Sequence, residues 1–300
     1  MSGTKEIKTH IQSVQETRKI TNAMYLIAST KLRKARQELD NTRPYFLALR
    51  NEIRRIFRTT SSVNSRYFYP NDEDIPISDG YGCLVITADK GLAGSYNQNA
   101  IREAMRLLDQ HPGMKLFVVG EYGRRFFAQR NIPIEYSFLY TAQNPTMARA
   151  REISALLLDG FDRGELKKIF MVYTDMASAM SFEARSTRLL PFHRPHFQPE
   201  DPEEAEITNV PEYDFLPDVR SVLDSMMPSY VSGYIYSALI DSFCCEQNAR
   251  MAAMDSANQN AEKLLGELSL EFNRVRQASI TQEITEVSAG AKAQKRNHRR

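Results

Sequence analysis

The chain has 300 residues, 42% hydrophobic and 25% charged, with 39 Lys and Arg against 37 Asp and Glu for a formal charge of +2. This composition excludes a disordered chain and supports a sizeable core, with about two domains expected from length alone. No run approaches the ~18 uninterrupted apolar residues of a membrane span, and the opening Lys5, Glu6 and Lys8 form neither a secretory signal nor a transit segment.

The small net charge conceals an uneven layout. Residues 1–58 carry a basic excess, whereas 200–214 are acidic through Glu200, Asp201, Glu203, Glu204, Glu206, Glu212 and Asp214. Blocks of this kind read as solvated faces that can also steer a partner. Cys83, Cys244 and Cys245 lack metal-ligand spacing and read as small buried hydrophobes in a reducing compartment.

From Ile7 onward, apolar residues alternate at steps of four and three: Ile7, Ile11, Val14, then Tyr25, Ala28, Leu32, Ala35, Leu39, then Phe46, Leu49, Ile53, Ile56. Arg18, Thr21 and Thr42 keep this register but break its polarity. A repeat of 3.5 residues held this long predicts a coiled-coil helix over 1–58. Pro44 is expected to bend or interrupt it, because proline removes one backbone donor.

Residues 59–81, rich in Ser, Asn, Asp and Pro, read as a linker. The pattern then changes to short apolar runs, Cys83 to Thr87, Leu116 to Val119 and Ile169 to Tyr173, which suit strands buried on both faces. Helical patterns over 97–110, 122–130 and 146–163 separate them, and a last strand is expected within Thr187 to Phe192. Alternating strands and helices predict a parallel sheet with right-handed crossovers, an α/β domain over 82–192. An acidic, Pro-rich connection over 193–212 is expected to be irregular and exposed.

The last predicted element is a helix over 213–293, broken in two at Pro228 or continuous through it. Ala249, Ala252, Ala253, Ala257 and Ala261, then Leu264, Leu268, Phe272 and Val275, recur at helical steps. Some 60 residues of helix would measure roughly 90 Å, against about 50 Å for a compact chain of this length. The helix at the other end is its natural cover. The expected fold is therefore a long antiparallel coiled coil of N- and C-terminal helices with an inserted Rossmann-like α/β domain, followed by a basic tail over 294–300.

For chemistry, the strand-to-helix turn Thr87-Ala-Asp-Lys-Gly-Leu-Ala-Gly-Ser-Tyr-Asn97 occupies the place where α/β folds cradle phosphate. It lacks both the G-x-G-x-x-G order and a closing G-K-[ST], so a tight structural turn is the stronger reading. A nucleotide-binding regulatory module with a coiled-coil arm is the alternative. His10, His111, His193, His196 and His298 show no metal pattern, and no nucleophile elbow is present. The residues point to an interaction protein rather than an enzyme, with no cofactor and no nucleic-acid partner.

Three stretches in order, Ile20 to Ala35 (ITNAMYLIASTKLRKA), the turn Thr87 to Asn97, and Arg274 to Glu286 (RVRQASITQEITE), resemble the gamma subunit of F-type ATP synthase. The resemblance runs from Lys5 to about Ala291. It implies a non-catalytic central-stalk rotor subunit, coupling ion-driven rotation of a membrane c ring to a head of alpha and beta subunits, with an epsilon subunit near its α/β domain. By resemblance, Arg276, Gln277 and Thr281 contact beta, Met24 and Lys31 fall in the coupling segment, and Tyr213, Phe215 and Pro217 form a foot near the c ring. The implied location is peripheral, on the cytoplasmic face of an energy-coupling membrane, with a bacterial cell membrane expected. Tyr25 replaces the family's common acidic residue, and the tail Lys295, Arg296, His298, Arg299 and Arg300 runs past the family's usual end.

Overall fold

The computed structural model describes residues 2–59, 65–69, 77, 79–139, 142–176, 182–197 and 214–297. These divide into two compact units, one made of Met1–Ala28 with Met251–Arg300 and the other of Ser29–Arg250. Two helices contribute to both: α1 (Ser2–Thr59), and the last helix of the chain, α5 (Val219–Asn297).

In the terminal unit, the α1 and α5 stretches pair antiparallel. Arg18 meets Glu262 at 3.9 Å, and three residues further along α1, Thr21 donates to the Asn258 amide oxygen four residues earlier on α5. The heptad positions Ile7, Ile11, Val14 and Tyr25 are half-buried and Ala28 is buried. The facing row on α5 runs Met254, Asn258, Ala261, Leu265, Leu268, Phe272 and Val275, also at steps of four and three, with Met254 and Leu268 buried. The matching periods explain the pairing, since only a 3.5-residue repeat keeps one stripe facing its partner over many turns. Beyond Ser279 the covering ends: Ile280, Ile284 and Val287 are 47%, 62% and 73% exposed.

The other unit is built on a five-stranded sheet in the order β3-β2-β1-β4-β5. Its elements in chain order are β1 (Tyr81–Ile86), α2 (Tyr96–Gln110), β2 (Lys115–Val119), α3 (Glu121–Gln129), β3 (Tyr136–Phe138), α4 (Met147–Asp162), β4 (Lys168–Met176) and β5 (Phe182–Leu190). β1, β2, β3 and β4 are parallel, whereas β5 runs antiparallel to β4. Cys83, Leu84, Val85 and Ile86 are all buried, as the apolar run of β1 requires. Cys83, Val85, Leu116 and Val118 pack with Ala104 and Leu107 of α2 and Phe127 of α3. Within this unit α5 also joins the sheet: the backbone N–H of Thr174 on β4 donates to the buried Ser242 hydroxyl at 3.1 Å.

Four expectations need correction. The last strand is not confined to Thr187 to Phe192 but spans Phe182–Leu190 and is antiparallel; its partly exposed, polar sequence FEARSTRLL masks it. β3 was not foreseen, because three residues give no measurable period. Pro44 does not interrupt α1, and at Pro228 the continuous alternative holds; packing of the helix faces outweighs a cost of roughly 3 kcal/mol at each. Finally, the stretches read as linker and exposed connection contain buried anchors. Tyr67, Phe68 and Tyr69 are 2–5% exposed. Phe68 bridges to Phe192, and the 3-10 turn Arg194–Phe197 places Phe197 against Phe57, Phe68, Phe192 and Tyr230. Arg54 of α1 donates to the Phe197 carbonyl at 2.8 Å.

Two tests follow from this packing. At Gly233 a Cβ would overlap the ring of Phe46, so the absence of a side chain sets how closely α5 approaches α1 in this unit. Gly233→Leu is expected to lower stability by about 1 to 3 kcal/mol in denaturant melts, with most of the loss removed in a Phe46→Ala background.

Asp241, on α5, is raised to about 7 by burial first and by the neighbouring Asp175 second, against the opposing charges of Arg185 and Arg43. The folded chain thus retains a proton that the unfolded chain releases near its ordinary value of 3.8. Stability therefore falls as pH rises from about 4 to 7 and levels off above. Asp241→Asn is expected to flatten this dependence, which unfolding midpoints at pH 5 and pH 8 will measure.

Candidate functional surface

The motif-bearing turn after β1 is fixed from three sides within its unit. Thr87 is fully buried, and its hydroxyl donates to the Val119 carbonyl at 2.8 Å while accepting the Gly123 N–H at 3.1 Å. The carboxylate of Asp89 accepts the Glu121 N–H at 2.9 Å and so caps α3. The buried Asn97 amide accepts from the Ala88 N–H at 2.9 Å and donates to the Lys90 carbonyl at 3.4 Å. Leu92 and Gly94 take positive φ of 61° and 54°, which turns the chain tightly enough for Ala93 and Tyr96 to face inward.

What they face is α5. Ala88, Ala93 and Tyr96 pack with Cys245 and Ala249, and Arg250 donates to the Gly91 carbonyl at 3.1 Å. Arg250 also pairs with Glu246 one helical turn earlier at 2.5 Å, with the two side chains only 12% and 8% exposed. Burial raises Glu246 above the usual carboxylate range, while Arg250 pulls it back. The turn is a docking surface for the helix. Ala93 and Tyr96, at the entrance to α2, lie against α5, and the first N–H groups of α3, those of Glu121, Tyr122 and Gly123, are taken by the Asp89 carboxylate, the Ala88 carbonyl and the Thr87 hydroxyl.

A cleft of about 1010 Å³ opens beside this turn, lined among others by Lys90, Glu121, Tyr122, Arg125 and Leu139. Its charges are largely paired among themselves: Glu121 holds Arg124 at 2.5 Å and Arg125 at 2.7 Å, which lowers its carboxyl to about 2.

The residues singled out by resemblance fall in separate settings. Arg276, Gln277 and Thr281 are exposed on α5 in the terminal unit, and the Thr281 hydroxyl donates to the Gln277 carbonyl at 2.9 Å. Met24 is half-buried on α1. Lys31 is exposed and lies with Glu246 in the unit of Ser29–Arg250, where its charge helps to lower the Glu246 carboxyl. Phe215 is half-buried and Pro217 exposed ahead of α5, beside Leu216 at 84% exposure; Tyr213 lies outside the described residues. Sequence reasoning missed Glu246, Arg250 and Asn97. The i,i+4 spacing of Glu246 and Arg250 was visible, but it reads as an ordinary surface pair. Arg250→Ala would leave a buried carboxylate unpaired and is expected to cost about 3 to 5 kcal/mol in denaturant melts.

Comparison with known proteins agrees with this architecture. Residues 3–294 match the family model described as ATP synthase. The chain is 39% identical over 290 residues to the ATP synthase gamma chain of Ruminiclostridium cellulolyticum, covering 96% of this chain and 98% of that one. It is 40% identical over 294 residues to that of Caldanaerobacter subterraneus, covering 96% and 99%. A relative from Acetobacterium woodii, named as the sodium ion specific gamma chain, is 35% identical, covering 96% and 97%. Among solved structures, the fold resembles a rotor chain of Euglena gracilis mitochondrial ATP synthase, with a TM-score of 0.61 at 13% identity over 93% of this chain and 99% of that one. It also resembles a central stalk chain of the Tetrahymena thermophila enzyme, with a TM-score of 0.55 at 22% identity over 79% and 99%. On the family match and the near full-length identity, the chain belongs to the ATP synthase gamma-chain family.

Proposed function

We propose that this gamma chain is the central-stalk rotor of an ATP synthase, coupling ion-driven rotation of a membrane c ring to conformational change at catalytic beta subunits. It contributes no catalytic group itself. The observation that carries this reading is the tip of α5: from Ile280 on the helix is exposed and presents Ile280, Ile284 and Val287, with Arg276, Gln277 and Thr281 exposed beside them. Apolar side chains left uncovered on a helix in water call for a partner surface. A ring of alpha and beta subunits around the helix supplies one.

The mechanism is differential contact. A helix pair has no threefold symmetry, so each of three beta subunits meets a different face and is biased toward a different affinity. Arg276 supplies a charge-assisted hydrogen bond at this collar, and Gln277 and Thr281 supply neutral ones. Met24 and Lys31 lie on the coupling segment of α1, while Tyr213, Phe215 and Pro217 form the foot toward the c ring, beside the epsilon subunit. No helix among the described residues is long and apolar enough to cross a membrane. The chain accordingly reaches the membrane through its partners, on the cytoplasmic face.

In complexes reconstituted with alpha and beta subunits, Arg276→Ala combined with Gln277→Ala is expected to lower ATP hydrolysis about tenfold without loss of assembly. That corresponds to roughly 1.4 kcal/mol, the scale of one or two hydrogen bonds. Hydrolysis at the wild-type rate, in complexes that contain the variant chain, would remove the collar contact from the account.

A further inference from the structure

Past Val172, β4 has left the register of β1 and, among the described residues, pairs with β5 alone, so 173–176 and 182–185 form a two-stranded ribbon that extends beyond the rest of the sheet. Two strands by themselves are marginal in water. This ribbon rests on α5 within the Ser29–Arg250 unit: the Thr174 N–H donates to the Ser242 hydroxyl at 3.1 Å, and Phe182 packs on the cluster that holds Cys245 and Ala249. Ser242 also shares a hydrogen bond with the Tyr96 phenol. The seam is incompletely satisfied, because the Thr174 hydroxyl is buried and has no partner among the described residues.

Asp241, the residue before Ser242, lies within reach of charges on three other elements: Asp175 on β4, Arg185 on β5 and Arg43 on α1. Tyr173 on β4 and Tyr234 on α5 belong to the same group, and Arg36 of α1 acts on the neighbouring Cys244 and Cys245. Arg185 is already engaged with Asp175, and Glu183 stands directly opposite Asp175 on β5. A charge on Asp241 thus adds another carboxylate to a seam that already holds two. Arg43 and Arg185 favour that charge, but burial first and Asp175 second outweigh them and raise Asp241 to about 7.

We infer that Asp241 is a proton-operated clamp: protonated, it holds the β4–β5 ribbon on α5, and ionised, it draws toward water and lets the ribbon part from the helix while the rest of the sheet stays in place. In the closed seam the proton stays until about pH 7, whereas in the open one it leaves near the ordinary 3.8. Opening is therefore suppressed in acid, becomes easier as pH rises toward 7 and changes little above. The clamp is a property of the chain itself, independent of the rotor reading.

The test follows hydrogen exchange in the full chain by NMR, at the Thr174 amide and, as a reference, at the amide of the fully buried Val85 in the central strand β1. Each rate is divided into the intrinsic rate at the same pH. Protection at Thr174 is expected to fall roughly fiftyfold from pH 5 to pH 7 and by less than about twofold more to pH 8, and to lie below that of Val85 at pH 7. In Asp241→Asn, whose amide cannot ionise, protection at Thr174 is expected to stay flat across this range.

A Thr174 protection independent of pH in the wild-type chain overturns the inference, as does a fall that persists in Asp241→Asn. Equal protection at Thr174 and Val85 at pH 7 means that the ribbon parts only when the whole unit unfolds, and this overturns it too. Should Asp241→Asn fail to fold, Asp175→Asn is expected to move the fall to lower pH, and an unmoved profile there likewise overturns the clamp.

Discussion

The structure depends on one interaction, the burial of a 3.5-residue apolar stripe on α1 against a stripe of the same period on α5. Each stripe alone would leave its side chains in water, at a cost of about 1.5 to 3 kcal/mol for every large one. Within the terminal unit the pairing covers Ala28, Met254 and Leu268. The same two helices also contribute to the α/β unit, where Ile53, Ile56, Val231, Ile235 and Leu239 are buried. That common demand explains why α1 and α5 run through Pro44 and Pro228, residues that would end a helix held only by its own backbone.

Attachment of the sheet to α5 uses a different kind of interaction. The turn from Thr87 to Asn97 sits at the end of β1, where related folds hold a ligand. Here Ala88, Ala93 and Tyr96 receive the small side chain of Ala249 and the thiol of Cys245, and Arg250 takes the Gly91 carbonyl. Small residues permit the close approach, and the buried Glu246–Arg250 pair makes it directional. An element with the outline of a binding loop thus serves as a mount, held in shape by its own hydrogen bonds.

Much of the fold was legible in the sequence where one physical demand dominated. The heptad of α1 and the doubly buried β1, β2 and β4 are strong local signals. β3 and β5 were not, since the first has three residues and the second is a partly exposed edge whose polar side chains hide its length. The buried aromatics Tyr67, Phe68 and Phe197 sit among Ser, Asn, Pro and acidic neighbours, and only their distant partners reveal them as core. The candidate contact residues rest on motif alone: nothing in the local pattern separates Arg276, Gln277 and Thr281 from ordinary exposed polar residues of a helix. Glu246 and Arg250 show the converse, an apparently routine surface pair that a turn some 150 residues earlier converts into a buried one.

The central claim is that this chain turns within its complex, and a probe on it can be watched directly. With the alpha and beta head fixed to a surface and a gold particle attached at a cysteine placed in the exposed part of the α/β unit, ATP is expected to drive rotation in one direction, in steps of a third of a turn. A probe that holds one orientation while the same complexes hydrolyse ATP would contradict the account.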